Sequence, residues 1–315
     1  MQLGLTPWSL SDTNSAETLC DQAAFAEQLG YEYFFLPEHH FVEGRSIPEP
    51  LLMLAAVSAR TSKIRLGTTS YLLPIRHPVQ AAEQTAVLDQ LSNGRLTLGI
   101  GRGTAPALFA TFGVDPKQKR TLFEDCYNKL IKAWHGSEVA DQNSSHPTSI
   151  SPLPRQKPHP PVWVAAFGPL ALKQAGRLGL PYLASPRETL SRLKHNYGIH
   201  REACELADAS SPEETPIMRS VFVSENVALV RQVRDRIEEF ATGMAQGSSN
   251  EPNPSIDDWA IIGSPSRVRE LLATYRDTLN MTHVIATRLG IAGVPHEDIR
   301  GSFAQLVRIR EEMSV

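Results

Sequence analysis

The sequence predicts an α/β protein of the (β/α)8 TIM-barrel class with insertions. Strand-like apolar runs alternate with helical patterns along most of the chain, and this alternation is typical of a parallel sheet built from βα units. Eight such runs can be counted, the number that closes a barrel. The predicted strands are residues 2–6, 31–36, 64–72, 95–100, 161–166, 180–184, 216–223 and 283–287. We therefore predict one barrel domain over residues 1–315.

The helices between these strands carry start and stop signals. Asn14 with Glu17 three residues later is a capping-box pattern, and Gly30 stands where a glycine ends a helix. Pro78 predicts the start of an Ala-rich helix, which the Asn-Gly pair at 93–94 ends before the next strand.

Two segments interrupt the alternation. Residues 140–160 are rich in Ser, Pro and His, and residues 243–262 contain the run GSSNEPNPS. Polar, Pro-rich stretches of this kind indicate irregular surface loops, and loops of this length in a compact domain are often functional.

Composition excludes several classes of protein. With 41% hydrophobic and 21% charged residues, the chain has the balance of a soluble globular protein with a large core. The net charge of −3, with scattered Lys and Arg, favours neither a nucleic acid nor a membrane partner. No basic leader and no stretch of ~20 apolar residues is present. The three cysteines have neither zinc nor disulfide spacing, so we expect a cytoplasmic protein without a metal site.

Barrel enzymes place their chemistry at the C-terminal ends of the strands, and the second predicted strand delivers Glu38, His39 and His40 there. Because side chains alternate along a strand, only one of the two histidines should face the barrel mouth. A histidine there suits proton transfer or the stabilisation of a developing anion. The alternative is a histidine hydrogen-bonded within the rim. Two adjacent histidines do not easily converge on one metal ion.

Arg102 follows the fourth predicted strand within GIGRGT, where a guanidinium would face the mouth and could bind a phosphate bidentately. The flanking glycines would allow close approach of a ligand, although glycines at a barrel corner are more often steric. Arg120 begins a helical stretch and, on its own residues, is one of many solvated arginines.

Three further positions are candidates for ligand binding. Phe167 and Gly168 begin the helix after the fifth strand, where unpaired N–H groups form a ready anion site. Ser264 caps another helix, for which an ordinary cap and a phosphate site are both consistent. Thr69 and Ser70 follow the third strand, where small polar side chains leave room for a planar ligand.

Several stretches occur in one order over most of the chain: LPEHHF, LGTTSYLLPIRHPVQAAEQTAVLDQLSNGRLTLGIGRG, FGV and IIGSP, with thinner similarity at PVWVAAFGPLALKQAGRLGLP. Together they resemble the bacterial luciferase-like flavin-dependent monooxygenase family, whose fold is a (β/α)8 barrel. The central run is long enough to make chance similarity improbable.

The resemblance implies roles for single residues. The family's functional histidine matches His39, with Glu38 and His40 beside it, and we predict His39 and Glu38 as catalytic. Thr69 and Ser70 match the pair that is joined by a cis peptide bond under the flavin ring.

The cofactor's phosphate group would be bound by a second set of matching residues. Arg102 and Arg120 match the family's phosphate-binding arginines, and Phe167, Gly168 and Ala171 match its phosphate-binding segment. We therefore predict Thr69, Ser70, Arg102, Arg120, Phe167 and Gly168 as cofactor-binding.

The chain departs from bacterial luciferase at several of these positions. Phe167, Gly168 and Ala171 replace acidic and hydroxyl residues, Gly101 replaces a reactive cysteine, and Pro186 replaces a tryptophan. The region 243–262 is also shorter. These changes argue against light emission with a long-chain aldehyde.

The function that the resemblance implies is a monooxygenase in which reduced FMN, as cosubstrate, reacts with O2 to give a C4a-peroxyflavin that oxygenates a small organic substrate. A separate flavin reductase would supply the reduced FMN. Family resemblance also suggests a homodimer, with the Ala-rich helix 78–91 as a candidate interface. The alternatives are an F420-dependent oxidoreductase of the same fold and a non-catalytic flavin-binding protein, which the count of eight strands disfavours.

Overall fold

The structure is a computed structural model that describes residues 1–9, 16–42, 46–139, 146, 148–245 and 255–314. The chain falls into two compact units. Unit one comprises Met1–Trp8, Phe25–Tyr33 and Ala166–Val315, and unit two comprises Ser9–Ala24 and Phe34–Ala165.

In chain order the described strands are β1 (Gln2–Leu5), β2 (Tyr33–Leu36), β3 (Arg65–Thr68), β4 (Tyr71–Leu72), β5 (Leu96–Gly101), β6 (Val162–Ala165), β7 (Tyr182–Leu183), β8 (Pro216–Val223), β9 (Ala260–Gly263) and β10 (His283–Thr287). The described helices are α1 (Ala16–Leu29), α2 (Pro50–Arg60), α3 (Pro78–Leu91), α4 (Pro106–Thr111), α5 (Lys119–Trp134), α6 (Pro169–Arg177), α7 (Leu190–Leu206), α8 (Val227–Ala245), α9 (Ile256–Trp259), α10 (Pro265–Leu279) and α11 (His296–Glu312), with a 3-10 helix at Leu73–Ile75.

Unit two carries the strand order β6, β5, β3, β2, and β4 also pairs with β5. The β3–β5 and β5–β6 pairs are parallel, with Leu66 opposite Leu96 and Leu98 opposite Val162. The strands are buried along nearly their whole length, as expected for a parallel sheet covered on both faces.

Unit one carries the strand order β1, β10, β8, β9, again with parallel pairs. An isolated parallel bridge, Ala184 to Ile217, places β7 beside β8. The α/β class with parallel strands is therefore confirmed. Closure of all strands into a barrel, and the single domain over residues 1–315, stay predictions.

The predicted helix start and stop signals are confirmed where the structure describes them. Helix α3 begins at Pro78, and the Asn93-Gly94 pair that follows it has φ values of 58° and 78°, the left-handed region that ends helices. Gly30, with φ of 91°, follows α1. Asn14 of the proposed capping box lies outside the described residues.

Each of the eight predicted runs contains a strand, but the third is divided. Residues 64–72 give β3 and β4 with Thr69 and Ser70 between them. The Leu72 N–H donates to the Glu38 carboxylate at 2.9 Å, so a side chain takes a backbone group that a continuous strand would pair.

The prediction for residues 243–262 as one irregular loop is wrong at its C-terminal end, where α9 and β9 lie. Residues 246–254 of that segment are outside the described part. The run AIIG is short, and periodicity alone does not identify so short a buried strand. Residues 148–160 contain neither helix nor strand, as predicted for that part of residues 140–160.

Among the residues that the structure describes, no helix has the length and apolar character that crossing a membrane requires.

The core of unit two contains a stacked pair of aromatic rings. The rings of Phe35 on β2 and Trp163 on β6 stack with centroids 5.5 Å apart at an interplanar angle of 28°. Gly67 on β3 lies against the Phe35 ring, and a Cβ built there would overlap that ring. A glycine at this position therefore leaves room for the stacked pair.

We expect Gly67→Ala to lower the free energy of unfolding by about 1–3 kcal/mol, because the added methyl group overpacks this contact. Urea denaturation followed by circular dichroism measures the change. The matched control is Gly198→Ala in α7, where a Cβ meets no atom within 4 Å, and a helical alanine should stabilise by about 0.5–1 kcal/mol. A Gly67→Ala protein as stable as the wild type would contradict the packing argument.

Candidate active site

The ends of three strands in unit two bring the predicted site residues together. Glu38, His39 and His40 follow β2, Thr69 and Ser70 follow β3, and Arg102 follows β5. A hydrogen bond connects the ends of β2 and β3, in which the Thr69 N–H donates to the Leu36 carbonyl at 2.8 Å.

Glu38 is a buried carboxylate with three donors. Its side chain is fully inaccessible to solvent. Oε2 accepts from the Leu72 N–H at 2.9 Å, and Oε1 accepts from Arg76 Nη2 at 2.8 Å and lies 2.7 Å from His40 Nε2. Burial raises the pKa of Glu38, while Arg76, His40 and Leu72 oppose that rise. With its oxygens occupied, this carboxylate is suited to holding neighbouring groups in place.

The two histidines occupy different environments, as the alternation along a strand predicted. His39 is exposed, and its backbone forms an antiparallel bridge with Ile47, with N–H to O distances of 3.0 and 2.9 Å. The His40 side chain is only 6% exposed and lies between Glu38 and the rings of Phe41 and Phe112, with ring centroids 5.6 and 5.2 Å away. His40 is therefore held by these contacts, whereas His39 is exposed to solvent.

The Thr69–Ser70 peptide bond is cis, as the resemblance implied. The Thr69 hydroxyl is buried and has no hydrogen-bond partner in the structure. A buried hydroxyl without a partner is unusual in a native protein, and a bound ligand is one group that would satisfy it.

Gly101 and Ser70 are packed against each other. A Cβ built on Gly101 would overlap the Ser70 hydroxyl. A side chain at residue 101 would therefore require the Ser70 hydroxyl to move.

Arg102 is buried, only 9% exposed, with its guanidinium carbon 5.5 Å from the centroid of the Phe123 ring. Burial and the like charge of Arg120 lower the pKa of Arg102 to about 10. Arg120, the second residue of α5, is exposed. The two arginines are thus near enough to repel each other, an arrangement that an anionic group would relieve.

Phe167 and Gly168 lie in unit one, at the start of α6. Gly168 precedes the first helical residue with φ of 75°, and Phe167 is 52% exposed. The predicted helix is confirmed. The part of these two residues in cofactor binding stays a prediction.

Arg76 is a site residue that sequence reasoning missed. It lies directly before the helix start His77-Pro78 and binds the Glu38 carboxylate. The sequence does place Glu38 after the second predicted strand and Arg76 after the third. Many surface pairs of an acid and an arginine share that pattern, so it did not identify Arg76.

Within the described ranges, no group of three or more His, Cys, Asp or Glu side chains is arranged to hold a metal ion.

Comparison with known proteins identifies relatives of this chain. It is 33% identical over 183 residues to the alkanal monooxygenase alpha chain of Photorhabdus laumondii subsp. laumondii, covering 57% of this chain and 51% of that protein. It is 28% identical over 229 residues to the oxygenase component of the flavin-dependent trigonelline monooxygenase of Acinetobacter baylyi, covering 69% and 63%. The chain spans about half the length of several curated relatives that it matches.

A solved structure shares the fold. The oxygenating constituent of 3,6-diketocamphane monooxygenase of Pseudomonas putida, determined in complex with FMN, matches with a TM-score of 0.79 and 19% identity over 98% of this chain and 97% of that one.

The family model for luciferase-like monooxygenases matches residues 3–280. This match covers most of the chain and includes every site residue described above. The chain therefore belongs to the luciferase-like monooxygenase family.

Proposed function

We propose that this chain is a flavin-dependent monooxygenase that uses reduced FMN and O2 to oxygenate a small organic substrate. The observation that carries the proposal is the position of Arg102. It follows β5, is buried, and has its guanidinium carbon 5.5 Å from the centroid of the Phe123 ring. Burial and the like charge of Arg120 lower its pKa. An anion that binds between or beside two arginines offsets the repulsion between their like charges, and the FMN phosphate is such an anion.

The residues present fit a flavin. The orphaned Thr69 hydroxyl offers one donor and acceptor beside the ends of β3 and β5. Thr69, Ser70, Arg102 and Arg120 would hold the cofactor, with Phe167 and Gly168 as proposed further contacts. Reduced FMN, when bound, supplies the electrons with which O2 is activated.

His39 is proposed to hold or move a proton at a ring nitrogen. It is exposed at the strand end, and the bridge to Ile47 fixes its backbone there. An imidazole can accept or donate a proton near neutral pH. The contacts of Glu38 support a positioning role rather than the catalytic role that the resemblance implied. The route through a C4a-peroxyflavin stays a prediction.

A separate flavin reductase is the proposed partner. The relative from Acinetobacter is named as an oxygenase component, which supports a separate flavin reductase as the source of reduced FMN. The substrate is proposed to be a small organic molecule, and its identity is open.

A homodimer through the helix 78–91 is supported by exposed apolar side chains on α3 and on α2, which packs against it. These are Val87, Leu91 and Leu52, which are 41%, 60% and 67% exposed. Sedimentation velocity tests the proposal: we expect a dimer for the wild type and a shift to monomer in Leu91→Lys. A wild-type monomer at all concentrations would contradict it.

The cofactor proposal predicts that phosphate recognition depends on Arg102. Arg102→Ala should weaken FMN binding by about 10- to 100-fold, because a charge-assisted contact to the phosphate is lost. Riboflavin, which lacks the phosphate, should bind both proteins alike. Fluorescence titration of FMN, riboflavin and F420 measures these affinities, with Arg60→Ala, an exposed arginine, as control. Tight F420 binding without FMN binding would favour the F420-dependent alternative.

The catalytic proposal predicts that His39→Ala lowers oxygenation by about 100- to 10,000-fold while FMN affinity is retained, since general acid–base catalysis contributes factors of that size. Product formation and hydrogen peroxide release are measured with reduced FMN, and His195→Ala on the exposed face of α7 is the control. An unchanged ratio of product to peroxide would exclude the role. Wild-type protein that binds FMN without consuming oxygen would indicate the non-catalytic alternative.

A further inference from the structure

Arg76 joins two carboxylates that lie at the two ends of one segment. Nη2 donates to Glu38 Oε1 and Nη1 donates to Glu49 Oε1, both at 2.8 Å. Its guanidinium carbon also lies 4.4 Å above the centroid of the Tyr71 ring. The side chains of Arg76 and Glu38 are 11% and 0% exposed, so this ion pair forms largely away from water, whereas the Glu49 side chain is 40% exposed.

The segment between the two carboxylates carries both histidines. We name it the histidine segment and define it as residues 38–42 and 46–49. Glu38 opens it after β2, and Glu49 closes it directly before α2. Among the residues described, its two arms are joined by the bridge of His39 with Ile47 and by the Ser46 hydroxyl, which accepts from the Val42 N–H at 2.9 Å and donates to the Val42 carbonyl at 2.8 Å. So few hydrogen bonds by themselves provide little resistance to local opening.

Arginine is suited to this task in a way that lysine is not. A guanidinium is planar and presents its donors in a fixed fork, so its two Nη atoms can bind separate carboxylates simultaneously and its face can stack on Tyr71. A lysine ammonium is a compact point charge without this fork. The three contacts of Arg76 use each of these properties.

We propose that Arg76 is a positioning residue, which holds the histidine segment closed by bridging Glu38 and Glu49 and thereby fixes where His39 and His40 stand relative to Thr69 and Ser70. Its consequence for catalysis rests on the proposed function. How firmly Arg76 holds the histidine segment can be measured without any cofactor.

Hydrogen–deuterium exchange at the His39 and Ile47 amides tests the proposal, because these two N–H groups form the bridge. In Arg76→Lys we expect both amides to exchange at least about tenfold faster than in the wild type, as the loss of one charge-assisted hydrogen bond predicts. The matched control is Arg65→Lys. Arg65 is also a partly buried arginine with several hydrogen bonds in unit two, to the Leu96 carbonyl, Thr97 and Gln156, but it stands at the opposite end of β3.

Faster exchange in Arg76→Lys but not in Arg65→Lys supports the proposal, whereas equal exchange in the two variants overturns it. If Arg76→Lys does not fold, Glu49→Ala decides the question. Glu49 makes no side-chain cap bond to α2, so its removal should leave the helix start intact while the His39 and Ile47 amides exchange faster. Unchanged exchange in Glu49→Ala then overturns the proposal.

The consequence for the reaction is tested separately by FMN titration and by the ratio of product to hydrogen peroxide. Arg76→Lys should retain FMN affinity but lose coupling by about tenfold, a split that general unfolding would not produce. Wild-type protein that binds no FMN would defeat the proposed function and leave the exchange result standing. Retained coupling in a variant with faster exchange would overturn the catalytic consequence.

Discussion

The buried carboxylate of Glu38 is the group on which the geometry of the site depends. Placing a charged side chain out of contact with solvent is costly unless hydrogen bonds and an opposite charge compensate it. Here the Leu72 N–H, Arg76 and His40 do so from three directions. Each compensating group is thereby fixed relative to the end of β2. The requirement to satisfy one carboxylate thus organises the ends of two neighbouring strands.

Two arginines of unit two, Arg76 and Arg102, have different surroundings. Arg76 is balanced by Glu38 and Glu49, and its fork is used within the protein. Arg102 is buried as well, and burial together with the like charge of Arg120 lowers its pKa. The proposed function assigns an anion, the FMN phosphate, to the place beside these two like charges. The difference in surroundings, and not in residue type, separates the two roles.

This member of the luciferase-like monooxygenase family differs from luciferase in the residue at position 101. At Gly101, where luciferase has a reactive cysteine, the Ser70 hydroxyl occupies the space that a side chain would need. A larger residue at position 101 would have to displace that hydroxyl. Relatives that align over about half of their length share the family without fixing the substrate.

The sequence by itself determined the α/β class, the position of eight strands and the helix caps at Pro78, Asn93 and Ser264, because periodicity and capping are local properties. It also indicated the EHH triplet, Thr69, Ser70 and Arg102, which follow strands directly. It did not reveal Arg76, the overlap of Gly101 with Ser70 or strand β9. These features depend on which distant side chains meet in space, and the tertiary structure alone decided them. The sequence predicted that His39 and His40 would point to different sides, but only the tertiary structure showed that Glu38, Phe41 and Phe112 hold His40 and that His39 is exposed.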